Sequence, residues 1–421
     1  MHSYTTIAGG RSNTAKGPYS TIGGGGDNAA PEYYIVLSGG QANTANANHS
    51  FIGGGSSNTV GSDAEGSAIA GGSSNTAKGP HGSIGGGLGN EISIGKRATI
   101  SGGEQNLGNA AYITIGGGSW NSAMSQYAVV VGGEFNVAKE ETTFIGGGSD
   151  NVADGTSAVV VGGSANGALA ESAIVGGGGD NQASADFSAV LGGSGNEASG
   201  NYAFIGSGLN NRASAQHTSV GGGLGNSASG DYATVAGGNS NTASGDETAI
   251  SGGRSNKADN TAAFVGGGMD NDVGGKYAVV CGGQTNSASQ NFASVGGGWD
   301  NVAAAIGGVI GGGRANRIKT SFTTVAGGFK NSAVSSYAFV GGGQRNFADA
   351  RHAAVGGGLE NSALGDHAFV GGGYGNSGTG ELASVIGGFG NQALSDFSSI
   401  GGGQNNTIAK SAEFVFASQT C

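Results

Sequence analysis

The sequence predicts an all-β fold, a parallel β-solenoid, or β-roll, of about 27 coils of 15 residues, and three observations carry that reading. An asparagine recurs 27 times between Asn13 and Asn406, and 24 of the 26 intervals are 15 residues long. A branched aliphatic residue stands at a fixed place after essentially every one of these asparagines. Glycine supplies 94 of the 421 residues, roughly three times its ordinary share. A regular short period marks an architecture in which each unit buries its apolar side chains only by stacking on its neighbours.

Composition removes the competing glycine-rich classes. Collagen requires glycine at every third place and abundant proline, whereas this chain has 3 prolines and no such period. A flexible Gly/Ser linker would lack the regular Val, Ile and Phe. With the recurring asparagine as position 0, the segment GGGLGNSASGDYATVAGGNSNTASGDETAISGG (Gly221 to Gly253) displays the unit. Position 9 is aliphatic, as in Ile22, Leu37, Ile145, Val235, Val280, Val340 and Ile400. Position 2 is Ala in 20 of 27 units, position 7 is usually Ala, Ser or Thr, and paired glycines follow at 11 and 12. Small and β-branched residues two apart, then glycine, describe a short strand entering a tight turn.

Fifteen residues supply two strands of three to five residues and two turns, too few for a helical hairpin or a propeller blade, which need roughly 30 to 45. At about 4.8 Å per coil, the repeats predict a rod on the order of 130 Å. The intervals Asn58 to Asn75 (17) and Asn90 to Asn106 (16) read as local bulges. Pro18 and Pro80 at position 5 and Pro31 at position 3 fall in a turn, where the missing N–H is tolerated. Asn121, Asn136, Asn151, Asn226, Asn241 and Asn331 exemplify a predicted structural ladder, in which asparagine bonds turn backbone, accepts φ > 0 and stacks amide on amide. Residues 1–410 read as a single repetitive β-roll domain. Residues 411–421 read as a terminal segment leading to a downstream domain beyond this sequence.

Position 8 points away from 7 and 9, so a solitary coil should make it polar. Instead it holds Phe51, Phe144, Phe204, Phe264, Phe339, Phe369 and Phe414, six Val or Ile, fourteen Ala, Ser or Thr, and no charge. A strand apolar on both faces is normally covered on both. Left bare, the stripe would exceed the few hundred Å² (order of magnitude) that soluble monomers expose. Homo-oligomerisation through the position-8 face is therefore expected. Charges gather in the turns at positions 13 to 14 and 3 to 5, which marks these as the solvent edges. The residues just before the asparagine vary most, so Trp120, Phe135, Trp299, Phe329 and Tyr374 are the candidate ligand-facing side chains.

The joint pattern GGxxNxASGxYAxVxGG, from Gly222-Gly223 to Gly237-Gly238, resembles the head repeats of trimeric autotransporter adhesins, the YadA-like head with its GGG motif. The similarity spans nearly the whole chain, and SAEFVFASQTC (Ser411 to Cys421) resembles the Phe-rich segment that closes such heads. That resemblance implies a left-handed parallel β-roll, three chains side by side, and a place on the bacterial surface outside the cell. It also implies attachment to host matrix, a cell-surface protein or glycan, or other cells, as in virulence. These residues carry no heptad stalk and no anchor barrel, so the resemblance concerns the head. A phage tail fibre or a structural extracellular filament is the alternative use of the same roll.

Other chemistries find little support. The net charge of -11 and the absence of Lys/Arg runs along the chain argue against nucleic-acid or anionic-membrane binding. No stretch of 18 apolar residues and no basic-then-apolar leader occurs in MHSYTTIAGG, so direct membrane insertion of this segment is not expected. Because the chain begins and ends within the repeat, it reads as part of a longer protein. Gly373 to Gly378 satisfies G-x-G-x-x-G without a following helix, and Gly95-Lys96 and Gly275-Lys276 lack the Ser or Thr of a phosphate loop. His49, His81, His217, His352 and His367 all occupy position 6, elsewhere Tyr or Phe, which reports the repeat rather than a catalytic base. Asp27, Asp150, Asp180, Asp270 and Asp300 precede the asparagine too sporadically for a calcium roll, and Thr forms no continuous rank for ordering ice. Cys281 and Cys421 are too few for a disulfide or zinc framework. No catalytic residue, cofactor or metal is expected.

Overall fold

Each coil turns twice. A strand covers positions 1 and 2, a turn carries positions 3 to 6, a second strand covers positions 8 and 9, and glycines lead into the turn at 13 and 14. The structure, a computed structural model, describes residues 4–415. All strands among them are two residues long, shorter than the three to five that the coil length allows, and no helix occurs. The chain is a parallel β-solenoid of about 27 turns, and within each of its two compact units a strand pairs with the equivalent strand of the next coil, as in Val129↔Phe144 and Val130↔Ile145.

Two compact units divide the chain, Met1–Asn211 and Arg212–Cys421. In the first, position-8/9 strands run from Thr6–Ile7 to Phe204–Ile205, and position-1/2 strands run from Thr14–Ala15 to Glu197–Ala198. The second repeats the plan from Ser219–Val220 to Phe414–Val415 and from Arg212–Ala213 to Thr407–Ile408. The pattern thus continues past residue 410, and the remainder of the closing segment, with Cys421, lies outside the described residues.

The core is thin. Position 9 (Ile145, Val160, Val235), position 2 (Ala138, Ala153, Ala228) and position 7 (Ala158, Ala173, Ala233) are all fully buried. Each buried Val or Ile contributes about 1.5 to 3 kcal/mol, repeated once per coil. Where position 7 is Ser or Thr, the hydroxyl stays satisfied by donating to a turn carbonyl, of its own coil in most cases and of the next coil at Ser20 and Ser67. Thr143 Oγ1 donates to the Glu140 carbonyl at 2.7 Å and Thr248 Oγ1 to that of Gly245 at 2.7 Å. This local bond lets Ala and Ser or Thr interchange inside the core.

Volume is conserved across facing positions. Where position 7 is Ile113, position 2 of the same coil is Gly108, and a Cβ there would lie 2.7 Å from Ile113 Cδ1. Reciprocally, Gly82 faces Ile92 and Gly308 faces Ile318, at 3.3 and 3.1 Å from an added Cβ. In a close-packed interior such a methyl displaces its neighbour.

The asparagines line up at the coil boundary, and all from Asn28 to Asn391 are buried. The Asn136 N–H donates to Asn121 Oδ1 (3.0 Å), and Asn136 Nδ2 donates to the carbonyls of Gly132 (3.0 Å) and Gly148 (2.9 Å). Asn151 repeats the set on Asn136, Gly147 and Gly163. Asn241 does so on Asn226, and Asn331 on Asn316. Amide-to-amide bonds join only some rungs, such as Asn151 Nδ2 to Asn136 Oδ1 at 3.0 Å. Among the described residues no buried side-chain N or O atom lacks a partner.

The left-handed backbone lies elsewhere than the sequence suggests. The ladder asparagines are not the residues with positive φ; positions 6 and 14 are, as in Tyr34 (58°), Tyr232 (60°), Trp120 (55°) and Lys330 (56°). A non-glycine residue there costs on the order of 1 to 3 kcal/mol. The conformation turns the N–H back onto the preceding coil, as from Tyr34 to the Pro18 carbonyl (3.1 Å) and Trp120 to that of Glu104 (2.9 Å). Glycine is obligatory at position 12: at Gly133 (φ 91°) a Cβ would lie 2.0 Å from the Gly148 oxygen and 2.6 Å from Asn136 Nδ2.

Two substitutions test this packing by thermal denaturation. Gly108→Ala is expected to destabilise by about 1 to 3 kcal/mol, and adding Ile113→Ala should recover most of it, because the pair then matches Ala123 and Ala128 of the next coil. Asn136→Ala should cost about 1 to 3 kcal/mol for each buried group it orphans, whereas Asn201→Ala in an exposed turn should be near neutral. Equal effects at the two asparagines would contradict the ladder.

Candidate functional site

With the core and ladder satisfied internally, what remains for recognition is the outside of the coil, and its four sides differ chemically. Outside the position-1/2 strands stand Glu91, Glu197, Arg212, Lys257, Asp272 and Arg317 among Ser, Thr and Gln and a few apolar residues such as Val137, Val152 and Phe347, a mixed, charge-bearing face. Glu91 accepts a 2.7 Å bond from Lys78, which holds its carboxyl below the usual range, and Asp259 bonded to Lys257 holds that ammonium above its usual value. These pairs are exposed, and such pairs add little stability.

The outer face of the position-8/9 strands is the opposite case. Phe51, Phe144, Phe204, Phe339 and Phe369 are each 36 to 43% exposed, and Phe264 is half-buried. The register stacks Val129, Phe144, Val159 and Ile174 into one continuous apolar column in the first unit. Position 10 emerges on the same side, and there Val131, Val161, Leu191 and Ile386 are exposed. Across all 27 units neither position 8 nor position 10 holds a charge. The sequence reading found position 8 and missed position 10, although a period of two places both on one face. Cys281 is a position-10 residue and is exposed.

The two edges display side chains in stacks. At position 6, Tyr19, Tyr34 and His49 lie ring over ring at 5.0 and 4.9 Å with planes 4° and 6° apart. Tyr337, His352 and His367 do the same at 5.0 and 4.8 Å. His49, His217, His352 and His367 thus serve as members of aromatic stacks. At the other edge Trp120 stacks on Phe135 at 6.2 Å, and Tyr374 is tilted against Phe389 at 5.2 Å. Trp299 and Phe329 lie on either side of Arg314, whose guanidinium is 3.9 and 5.6 Å from the two ring centroids. Trp120 and Phe135 thus form one pair in the first unit, while in the second Trp299 and Phe329 share Arg314 and Tyr374 lies apart with Phe389. Among the described residues no group of three or more His, Cys, Asp or Glu is placed to hold a metal ion. Among the described residues no helix is long and apolar enough to cross a membrane.

No family model matches the chain, and no curated protein matches it either.

Proposed function

We propose that this chain is a non-enzymatic fibre head of the YadA-like type, carried outside the cell on a bacterial surface. In this reading three copies pack side by side, and the turns mediate adhesion to host matrix, a cell surface or other cells by presenting side chains in rows. The observation that carries the reading is the asymmetry of the coil's outside. One strand face is free of charge at both outward positions over every repeat and carries the position-8 phenylalanines, while charged residues are confined to the edges and the other face. A long apolar face of that kind is covered in a soluble protein. Side-by-side packing of identical rods covers it without occluding the edges, which then repeat a given turn three times around the fibre. The similarity of the joint Asn, Ala and Gly-Gly pattern to adhesin heads supports the same arrangement.

Light scattering at micromolar concentration tests the assembly, with an expected mass of three chains. Replacing Phe204→Asp and Phe264→Asp should drive the mass toward one chain, while Ala165→Asp at a turn should leave it unchanged. A wild-type chain that stays monomeric overturns the shared face. Solid-phase binding to matrix proteins, glycans and cells then tests adhesion; a trimer that binds none of them and polymerises end to end would be a filament subunit instead.

A further inference from the structure

Residues 301 to 348 contain five Lys or Arg and no Asp or Glu, in a chain of net charge -11. Along the sequence these cations are dispersed. The fold brings three of them, Arg314, Lys330 and Arg345, to one edge, because position 13 of each coil bridges position 13 of the next: Trp299 with Arg314, Arg314 with Phe329, Phe329 with Gln344; Arg317, on the adjoining strand face, reaches the same edge with its side chain.

The four are not equivalent. Arg317 reaches back one coil to Asp300, with Nη2 2.9 Å from both carboxylate oxygens, and Arg345 Nη1 donates to Glu360 at 2.9 Å. Between these pairs lie Arg314 and Lys330, which have no carboxylate partner among the described residues. Both are held by rings instead: Arg314 over Trp299 at 3.9 Å, and Lys330 Nζ 5.1 Å from the Phe329 centroid. A guanidinium stacked on an aromatic ring keeps its N–H edges free for a planar anion and has already lost part of its rotamer freedom. The two groups sit one coil apart, about 5 Å along the axis.

We propose that this edge binds an acidic polysaccharide, a chain of uronic or sulfated sugars, with Arg314 and Lys330 engaging successive anionic groups and the Arg317 and Arg345 pairs flanking them. This rests on the reading of the turns as the display surface and names its ligand class. An extended polyuronate carries one carboxylate per sugar, a spacing of the same order as the coil rise. Single-stranded nucleic acid is the less suitable polyanion. Its binders offer open aromatic faces to the bases, and here the ring faces turned toward Arg314 and Lys330 are already occupied by cations.

The test uses the full chain in fluorescence anisotropy titrations over a salt series, with a labelled polygalacturonate oligomer and a single-stranded DNA of matched charge. The wild type should bind the polyuronate, more weakly as salt rises. The Arg314→Gln, Lys330→Gln double variant should bind roughly tenfold or more weakly, and the slope of log affinity against log salt should fall by about two, one per cation removed. Arg254→Gln, a position-13 cation in another coil, should leave both unchanged. No binding of polygalacturonate, or undiminished binding by the double variant, overturns the site, and tighter binding of the DNA overturns the glycan assignment. Cell adhesion measured in parallel separates the two readings: adhesion without polyuronate binding overturns this site alone, and polyuronate binding without adhesion overturns the adhesive role alone.

Discussion

A carboxamide on every coil, buried from Asn28 to Asn391, is the constraint on which the rest of the structure depends. Within each unit the asparagine oxygen accepts the backbone N–H of the next asparagine, and its nitrogen bridges two glycine carbonyls. Each bond is worth only about 1 kcal/mol net, but three unmet backbone groups inside so thin a coil would cost more than the bonds return. The ladder therefore explains the glycines as much as the asparagines. Position 12 must bring its backbone against the side-chain amide and the next coil's carbonyl, and only glycine leaves the room. Shape-matched pairs such as Gly108 with Ile113 show the same economy of space in the apolar half of the core.

Because every polar group inside is satisfied by the repeat itself, the outside is free to vary, and it varies by side. The charge-free face changes size, from Ala189 to Phe204 in adjacent coils, but never takes a charge. The edges change everything. Parallel register at one coil per step turns residues 15 apart into neighbours, so single substitutions compose stacks: four consecutive rings at Phe322, Tyr337, His352 and His367, or an arginine between Trp299 and Phe329. Left-handed backbone at both corners helps, since it directs each corner N–H to the coil before and ties neighbouring turns together.

Much of this was legible in the period. The spacing of asparagine, aliphatic and alanine positions gives the coil, its parallel pairing and its inward residues. The phenylalanines at position 8 identify the outward apolar face, because alternation along a strand is a strict rule. Less legible were features set by backbone rather than by residue type. Strands of two residues and positive φ at Tyr, Trp and Lys run against ordinary preferences, and only bonds to the adjacent coil explain them. The cation cluster around Arg314 and Lys330 was hidden for another reason: proximity there follows the coil index, whereas a scan for charge runs follows the chain.

The most direct measurement of the central claim is hydrogen exchange of asparagine side-chain amides in a chain labelled with 15N only at asparagine. Buried carboxamides that donate both hydrogens to glycine carbonyls should exchange orders of magnitude more slowly than those of turn asparagines such as Asn201, and this slow set should match the ladder positions in number. Ladder carboxamides that exchange as fast as the turn asparagines would contradict the account, since the coils would then have no buried amide bonds to hold them in register.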